Sequence, residues 1–437
     1  MSGESGEAIF IEGGRVLDPR GGIDGIRTLV IRDGRVAEVA ERVERPRDAR
    51  TVDARGKWVT PGFIDLHSHL REPGQEYKET VASGARAALA GGFTAVCAMP
   101  NTVPPCDNAS VAELVLERAR AAGLARVHPV GCISKGLKGE ELAEYGELKA
   151  SGCVAVSDDG RPVMSPALMR RALEYARAFD LPVAVHEEDL SLAGKWAMHE
   201  GPAATRLGLR GMPSQAEEVM VRRDIALAEL TGGRLHVQHV SAEGSVRAIR
   251  EARKRGVRVT AEVTPHHLAL GDEDVARSGY DTDFKMCPPL RGETDVRAVR
   301  EGLADGTLDA IATDHAPHSL VEKAVEFDQA LNGVVGLETA FGVCLDLCRR
   351  GILSERRLIE ALTAAPAGVF GLPGGGLEKG APADVAILDP GMEWTVEPDR
   401  FLSKGHNSPF KGRRLVGRCT HAFVGGRLVH EISRGGR

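Results

Sequence analysis

From residue 63 onward, short apolar runs recur between longer stretches whose apolar residues fall three and four apart. The runs are 63–66, 94–98, 127–130, 154–157, 183–185, 235–237, 258–262 and 310–313. Helical spacing lies between most of them, at 111–122, 166–179, 215–230, 245–255 and 296–303. Mostly apolar runs of this length suit strands of a parallel sheet covered by helices. Eight strand–helix units predict an α/β chain with a (β/α)8 barrel of the TIM type. A doubly wound open sheet is the competing arrangement.

The two ends follow another pattern. Residues 9–12, 28–32 and 36–39 read as short strands, with turns at Gly13-Gly14 and Asp33-Gly34. An Asp-Gly pair between apolar runs is a strong hairpin signal. Near the other end 384–388, 394–396 and 421–424 repeat the pattern, and Gly425-Gly426 follows. We expect one small β domain built from both ends, 1–60 and 375–437, around a barrel of 61–374.

Composition narrows the partners. The chain has 437 residues, 42% hydrophobic and 27% charged, with a net charge of -6. That balance offers no electrostatic footprint for nucleic acid or an acidic membrane. The longest uncharged run, 87–106, contains Gly91, Gly92, Pro100, Pro104 and Pro105, so no membrane helix is expected. The first ten residues lack the charge and apolar core of a signal peptide. The eight Cys are scattered without a CxxC pair. Reduced thiols and a cytoplasmic location are the reading.

Active sites of such barrels lie at the C-terminal ends of the strands. The first strand runs into His67-Ser68-His69, whose alternation puts both imidazoles on one face. The fourth ends in Ser157-Asp158-Asp159-Gly160, the fifth in His186, the sixth in His239 and the eighth in Asp314. A lone His at a strand end is usually structural, and Asp-Asp-Gly is usually a turn. Four His and two carboxylates at five strand ends of one barrel are a different matter. Imidazole and carboxylate suit Zn2+, Mn2+ or Co2+. HExxH, GxSxG and the P-loop are missing, so zincin, serine hydrolase and NTPase chemistry have no support.

These motifs make the chain resemble the amidohydrolase superfamily and, more narrowly, the bacterial class I dihydroorotases. The resemblance rests on PGFIDLHSHLREPG (61–74), MPNT (99–102), SDDG (157–160), HEED (186–189) and HVS (239–241). TPHHL (264–268), PPLR (288–291) and TDHAPH (313–318) extend it. GLEKGAPADVAILD (376–389) resembles the segment that returns such chains to a small β-sandwich made from both ends.

The resemblance implies a metal-dependent cyclic amide hydrolase. His67, His69 and Asp314 would hold one ion, His186 and His239 a second, and Asp159 would bridge them. Asp159 is preferred to Asp158 because the family's ligand directly precedes the Gly. Hydantoinases bridge with a carboxylated Lys, and this strand has none. One or two Zn2+ per subunit are implied.

The implied substrate is L-dihydroorotate, opened reversibly to N-carbamoyl-L-aspartate, the third step of pyrimidine synthesis. Asp314 would act as general base and then general acid. Arg71, two residues past His69, is the type of side chain that grips a carboxylate by a planar fork. Asn101 and His318 would share that carboxylate, and His69, Cys287, Asn332 and Gly333 would line the substrate. Two positions depart from relatives: Cys287 stands where many have Asn, and Asn332-Gly333 where some have Phe-Gly. A thiol donates only weakly, and a backbone group is expected to take over the Cys287 contact. His266 and His267 read as supporting residues, and His128, His199, His236, His406, His421 and His430 as ordinary. The polar stretch 318–332 reads either as a lid or as a solvated loop. Homo-oligomers and an aspartate transcarbamoylase partner are implied as possible assemblies. The competing readings are an allantoinase or hydantoinase, or an inactive structural subunit of that transcarbamoylase.

Overall fold

A computed structural model describes residues 8–432. The two ends interleave in one mixed sheet. Its N-terminal strands are β1 (Ile9–Asp18), β2 (Ile23–Arg32), β3 (Arg35–Ala40), β4 (Arg50–Asp53) and β5 (Trp58–Pro61). The sequence pattern missed β4 and β5. The C-terminal strands, numbered after those of the barrel, are β14 (Val385–Thr395), β15 (Arg414–Val424) and β16 (Arg427–Glu431). The order is β16-β15-β14-β5-β1-β2-β3, with β4 also on β1. Pro61, the last residue of β5, pairs with Val385 of β14, so the junction between the ends is a strand ladder.

The sheet then curls until its tips meet. Ala383 N donates to Gly34 O and Gly426 N to Ala383 O, both at 2.9 Å, which joins the two glycine-bearing hairpins. Ile9, Ile11, Val16, Leu29, Val59, Val385, Ile387 and Phe423 fill the space inside. These are alternate residues of their strands, as burial of one sheet face requires.

Between the ends lie eight parallel strands. They are β6 (Phe63–Ser68), β7 (Phe93–Ala98), β8 (Arg126–Pro129), β9 (Val156–Ser157), β10 (Val183–Val185), β11 (Leu235–Val237), β12 (Val259–Val263) and β13 (Ala310–Ile311). β6-β7-β8 form one arc and β9 to β13 another. Parallel bridges Gly131–Val156 and Ser68–His315 join the arcs at both seams. The barrel is therefore closed, and the open-sheet alternative is excluded. Several strands are shorter than the apolar runs. β13 stops at Ile311 because Thr313 N donates to the Asp65 carboxylate at 2.8 Å instead of extending the ladder.

Alternation sorts the strand residues cleanly. Val183, Val185, Leu235, Val237, Val259, Ala261 and Val263 join the layer beneath the helices. Ile64, Leu66, Ala95, Cys97, Ala184, Ala310 and Ala312 point into the barrel, where Val369, Phe370 and Leu372 pack against them. In β6 the ladder to β7 slips between Asp65 and Ser68, where Leu66 and His67 oppose the single residue Cys97. A one-residue bulge reverses the parity of the strand. Ile64 and Leu66 face inward before it, and His67 and His69 face the barrel mouth after it.

Candidate active site

The expected residues meet at the C-terminal ends of the strands. Asp159 lies at the centre, with carboxylate oxygens 3.3 Å from His67 Nε2, 3.3 Å from His69 Nε2, 3.7 Å from His186 Nδ1 and 3.6 Å from His239 Nε2. Asp314 Oδ1 is 3.2 Å from His69 Nε2 and 3.5 Å from His67 Nε2. Asp158 points elsewhere. Its carboxylate accepts from Ile133 N, Ser134 N and the Ser134 hydroxyl, so it fixes a loop.

The donor atoms fit a cation. His67 Nε2 and Asp159 Oδ1 are buried and lack a hydrogen-bond partner among the described residues, yet both face this centre. Leaving such atoms unpaired costs about 1–3 kcal/mol each, and more for a charged group. A divalent ion between the imidazoles and carboxylates would satisfy both. Two sets converge, His67–His69–Asp314 and His67–Asp159–His239, each with its donor atoms within 4.8 Å of one another. His186 Nδ1 lies 2.9 Å from His239 Nε2 and extends the second set.

Electrostatics keep the carboxylates charged. Burial pushes Asp159 and Asp314 up, but the surrounding imidazoles outweigh it and hold both below the usual carboxylate range. The backbone is strained at the same place. Arg71, His239 and Asp314 have φ of 61°, 33° and 46°. Non-glycine residues rarely adopt these values, which cluster at functional sites.

A cavity of about 300 Å³ opens onto the centre, lined by His69, Arg71, Asn101, Asp159, His186, His239, Cys287, Asp314, His318, Asn332 and Gly333. Every residue assigned to the substrate is in this wall. His67 sits behind it, fully buried. Asn101 Oδ1 accepts from His69 Nδ1 at 2.8 Å, which turns His69 Nε2 towards the carboxylates. Gly74 makes the Arg71 turn possible. Its φ is +91°, and a Cβ there would meet Val103 O at 2.0 Å.

His318 shares its ring with the wall, Nε2 donating to Asn332 O at 2.8 Å and Nδ1 facing Lys78 Nζ at 3.4 Å. Burial, then the charges of Arg71 and Lys78, bring its pKa down to about 3, so the ring is neutral. The 318–332 stretch is tied down at its base. Lys323 Nζ donates to the carbonyls of Leu331 and Gly333, both at 3.0 Å, and Glu322 pairs with Lys78 at 2.8 Å.

Four residues escaped the sequence reading. Glu262 Oε1 accepts from His67 Nδ1 at 2.8 Å, and Oε2 from His236 Nε2 at 3.0 Å. Burial raises the Glu262 pKa, but these hydrogen bonds and charges bring it to about 2. His236, read as ordinary, thus backs the carboxylate that orients a candidate ligand. Glu188 and Trp196 also line the cavity. His267 is structural, placed between Thr264 Oγ1 at 2.8 Å and Pro288 O at 3.0 Å.

Outer carboxylates of this kind fix the tautomer of a ligating His, and their loss typically weakens metal binding about 10- to 100-fold. We expect Glu262→Gln to show that loss in a chelator competition. Unchanged affinity would make Glu262 a barrel-packing residue only.

A protein named dihydroorotase from Anaeromyxobacter dehalogenans (strain 2CP-C) is 76% identical over 431 residues, spanning 99% of this chain and 100% of that one. The chain belongs to the dihydroorotase family. The family model described as Dihydro-orotase-like matches residues 56–245. A dihydroorotase of Syntrophotalea carbinolica is 54% identical over 425 residues, 97% of this chain and 99% of that one. Among solved structures, an L-hydantoinase (dihydropyrimidinase) from Arthrobacter aurescens superposes with a TM-score of 0.86 at 25% identity, over 97% of this chain and 96% of that one. The chain thus shares its fold with a hydantoinase that it resembles less in sequence than it does the dihydroorotases.

Proposed function

We propose that the chain is a dihydroorotase, which hydrolyses L-dihydroorotate reversibly to N-carbamoyl-L-aspartate. The carrying observation is one cavity that joins four imidazoles around Asp159 to a buried guanidinium, Arg71. The barrel, 61–374, would carry the chemistry, and the described residues of 1–60 and 375–437 would form the small domain. His67, His69 and Asp314 would hold one zinc ion, and His186, His239 and Asp159 a second. A zinc ion in such a site lowers the pKa of a water to about 7 and polarises a carbonyl.

The chain's own groups supply the rest. The Asp314 carboxylate takes the proton of the attacking water and delivers it to the departing ring nitrogen. Arg71 and the Asn101 amide hold the substrate carboxylate, while Gly333 leaves room beside the ring. Its φ is +135°, and a Cβ there would lie 2.8 Å from Ala316 Cβ. Ring closure consumes a proton because a carboxylate disappears, so low pH favours dihydroorotate.

All eight Cys are free, which supports a reducing, cytoplasmic setting. No helix among the described residues is long and apolar enough to cross a membrane. The family resemblance supports a homo-oligomer and an aspartate transcarbamoylase partner. The six ligand candidates are all present and convergent, which disfavours an inactive structural subunit.

The test follows ultraviolet loss from L-dihydroorotate with zinc-loaded protein, and runs allantoin and hydantoin in parallel. Turnover of dihydroorotate alone is expected. Turnover of allantoin or hydantoin in its place would overturn the substrate and the role of Arg71.

A further inference from the structure

His186 presents two ring nitrogens to two different surroundings. Nδ1 faces His239 and Asp159, as described above. Nε2 faces the opposite way, 3.4 Å from Glu188 Oε2 and 3.6 Å from Cys287 Sγ. Cys287 Sγ in turn lies 3.4 Å from Glu188 Oε2. Three donor atoms, one each of nitrogen, oxygen and sulfur, therefore form a nearly equilateral triangle. Zinc binds sulfur at about 2.3 Å and nitrogen or oxygen at about 2.0–2.2 Å in a tetrahedron. Donors around such an ion are then about 3.3–3.6 Å apart, by the geometry of that tetrahedron. The triangle has the dimensions of one of its faces.

The surroundings favour an occupant. Trp196 Nε1 donates to Glu188 Oε1 at 2.8 Å, which leaves Oε2 for the triangle. All three residues line the cavity, so the fourth position of the tetrahedron opens towards it. Sulfur with imidazole and carboxylate selects thiophilic divalent ions over magnesium or calcium.

We propose that Cys287, His186 and Glu188 form a third metal site, for a thiophilic divalent cation such as Zn2+ or Cd2+ in excess over the paired centre. On binding, the Cys287 thiol releases its proton to solvent. When Nδ1 already holds an ion, Nε2 must also give up its proton, and the imidazolate bridges two cations. That extra cost makes the third site weaker than the paired centre, so it fills last. The ion then occupies the cavity and excludes the substrate. The blocking rests on the cavity being the substrate's, whereas the binding does not.

The test titrates Cd2+ into the zinc-loaded protein and records the ultraviolet thiolate-to-metal charge-transfer band. One further equivalent should bind with that band and inhibit hydrolysis competitively with L-dihydroorotate. Cys287→Ser and Cys287→Asn should abolish the band, and Glu188→Gln should weaken cadmium at least about tenfold, as loss of a supporting ligand does. Circular dichroism checks that each variant is folded. No band, or a band that survives in both folded Cys287 variants, would overturn the site. A band with non-competitive inhibition would overturn the blocking. A Cys287-dependent band in a protein that does not turn over dihydroorotate supports the third site and removes only the substrate assignment.

Discussion

Asp314→Asn should lower kcat for L-dihydroorotate about 10³- to 10⁴-fold, towards the upper end of what loss of a general acid–base group costs. The substitution keeps the shape of the side chain and removes its ability to take a proton. In the native site the carboxylate lies 3.2 Å from His69 Nε2 and faces the cavity. Burial raises its pKa, but His67 and His69 bring it below the usual carboxylate range, so it is ionised at neutral pH. Its backbone is held at a positive φ, so the side chain is aimed by the turn rather than by chance. The same group is a candidate ligand, so metal content must be measured beside the rate. A variant that keeps its metal and loses the rate supports proton transfer. A rate loss that tracks metal loss one for one would reduce Asp314 to a ligand.

Much of this arrangement is legible in the sequence, for a physical reason. The eight apolar runs are strands buried by helices, so each had to be apolar, and their C-terminal ends mark the mouth of the barrel. What the pattern does not carry is register. The bulge at Asp65–Ser68 shifts β6 by one residue, and no residue type announces it. β4 and β5 are only four residues each, and β4 is largely exposed, so an apolar-run criterion passes over it.

Glu262 and His236 are a different kind of omission. β11 and β12 read Leu-His-Val and Val-Thr-Ala-Glu-Val, with the apolar residues outward. The polar residues between them must then face the barrel interior, and a buried carboxylate needs partners. That alternation was visible, but a ligand search confined to strand ends looks past it. Glu188 and Cys287 lie 99 residues apart, and their contact follows only from the closed barrel.

The carboxylate of the substrate supplies the other large effect. Arg71→Gln should raise KM for L-dihydroorotate about 10²- to 10³-fold, because loss of one partner of a buried charge pair costs about 2–5 kcal/mol. Arg71 is 8% exposed, and its Nε donates to Pro317 O at 3.3 Å, which leaves the outer guanidinium nitrogens for the cavity. Burial lowers its pKa, the charges of Asp314 and Asp159 raise it, and a guanidinium remains charged at neutral pH in any case. Asn101 turns its oxygen to His69, so its amide nitrogen is free for the same carboxylate.

A structural role would also weaken the variant, so the contrast between rings decides. A ring without the carboxylate, such as hydantoin, is read as a competitive inhibitor: its inhibition constant should not change when Arg71 is replaced, whereas dihydroorotate loses the full charge pair. Arg71→Lys should recover part of the KM, since it restores a point charge but not the fork. An equal loss for both rings would mean that Arg71 only shapes the cavity, and the carboxylate would have to be held elsewhere in its wall. Lys78 stands behind that wall, 3.4 Å from His318 Nδ1, but its ammonium is already paired with Glu322 at 2.8 Å. Recruiting it would break that pair and loosen the base of the 318–332 stretch, so Arg71 is the cation that can take the substrate without a rearrangement.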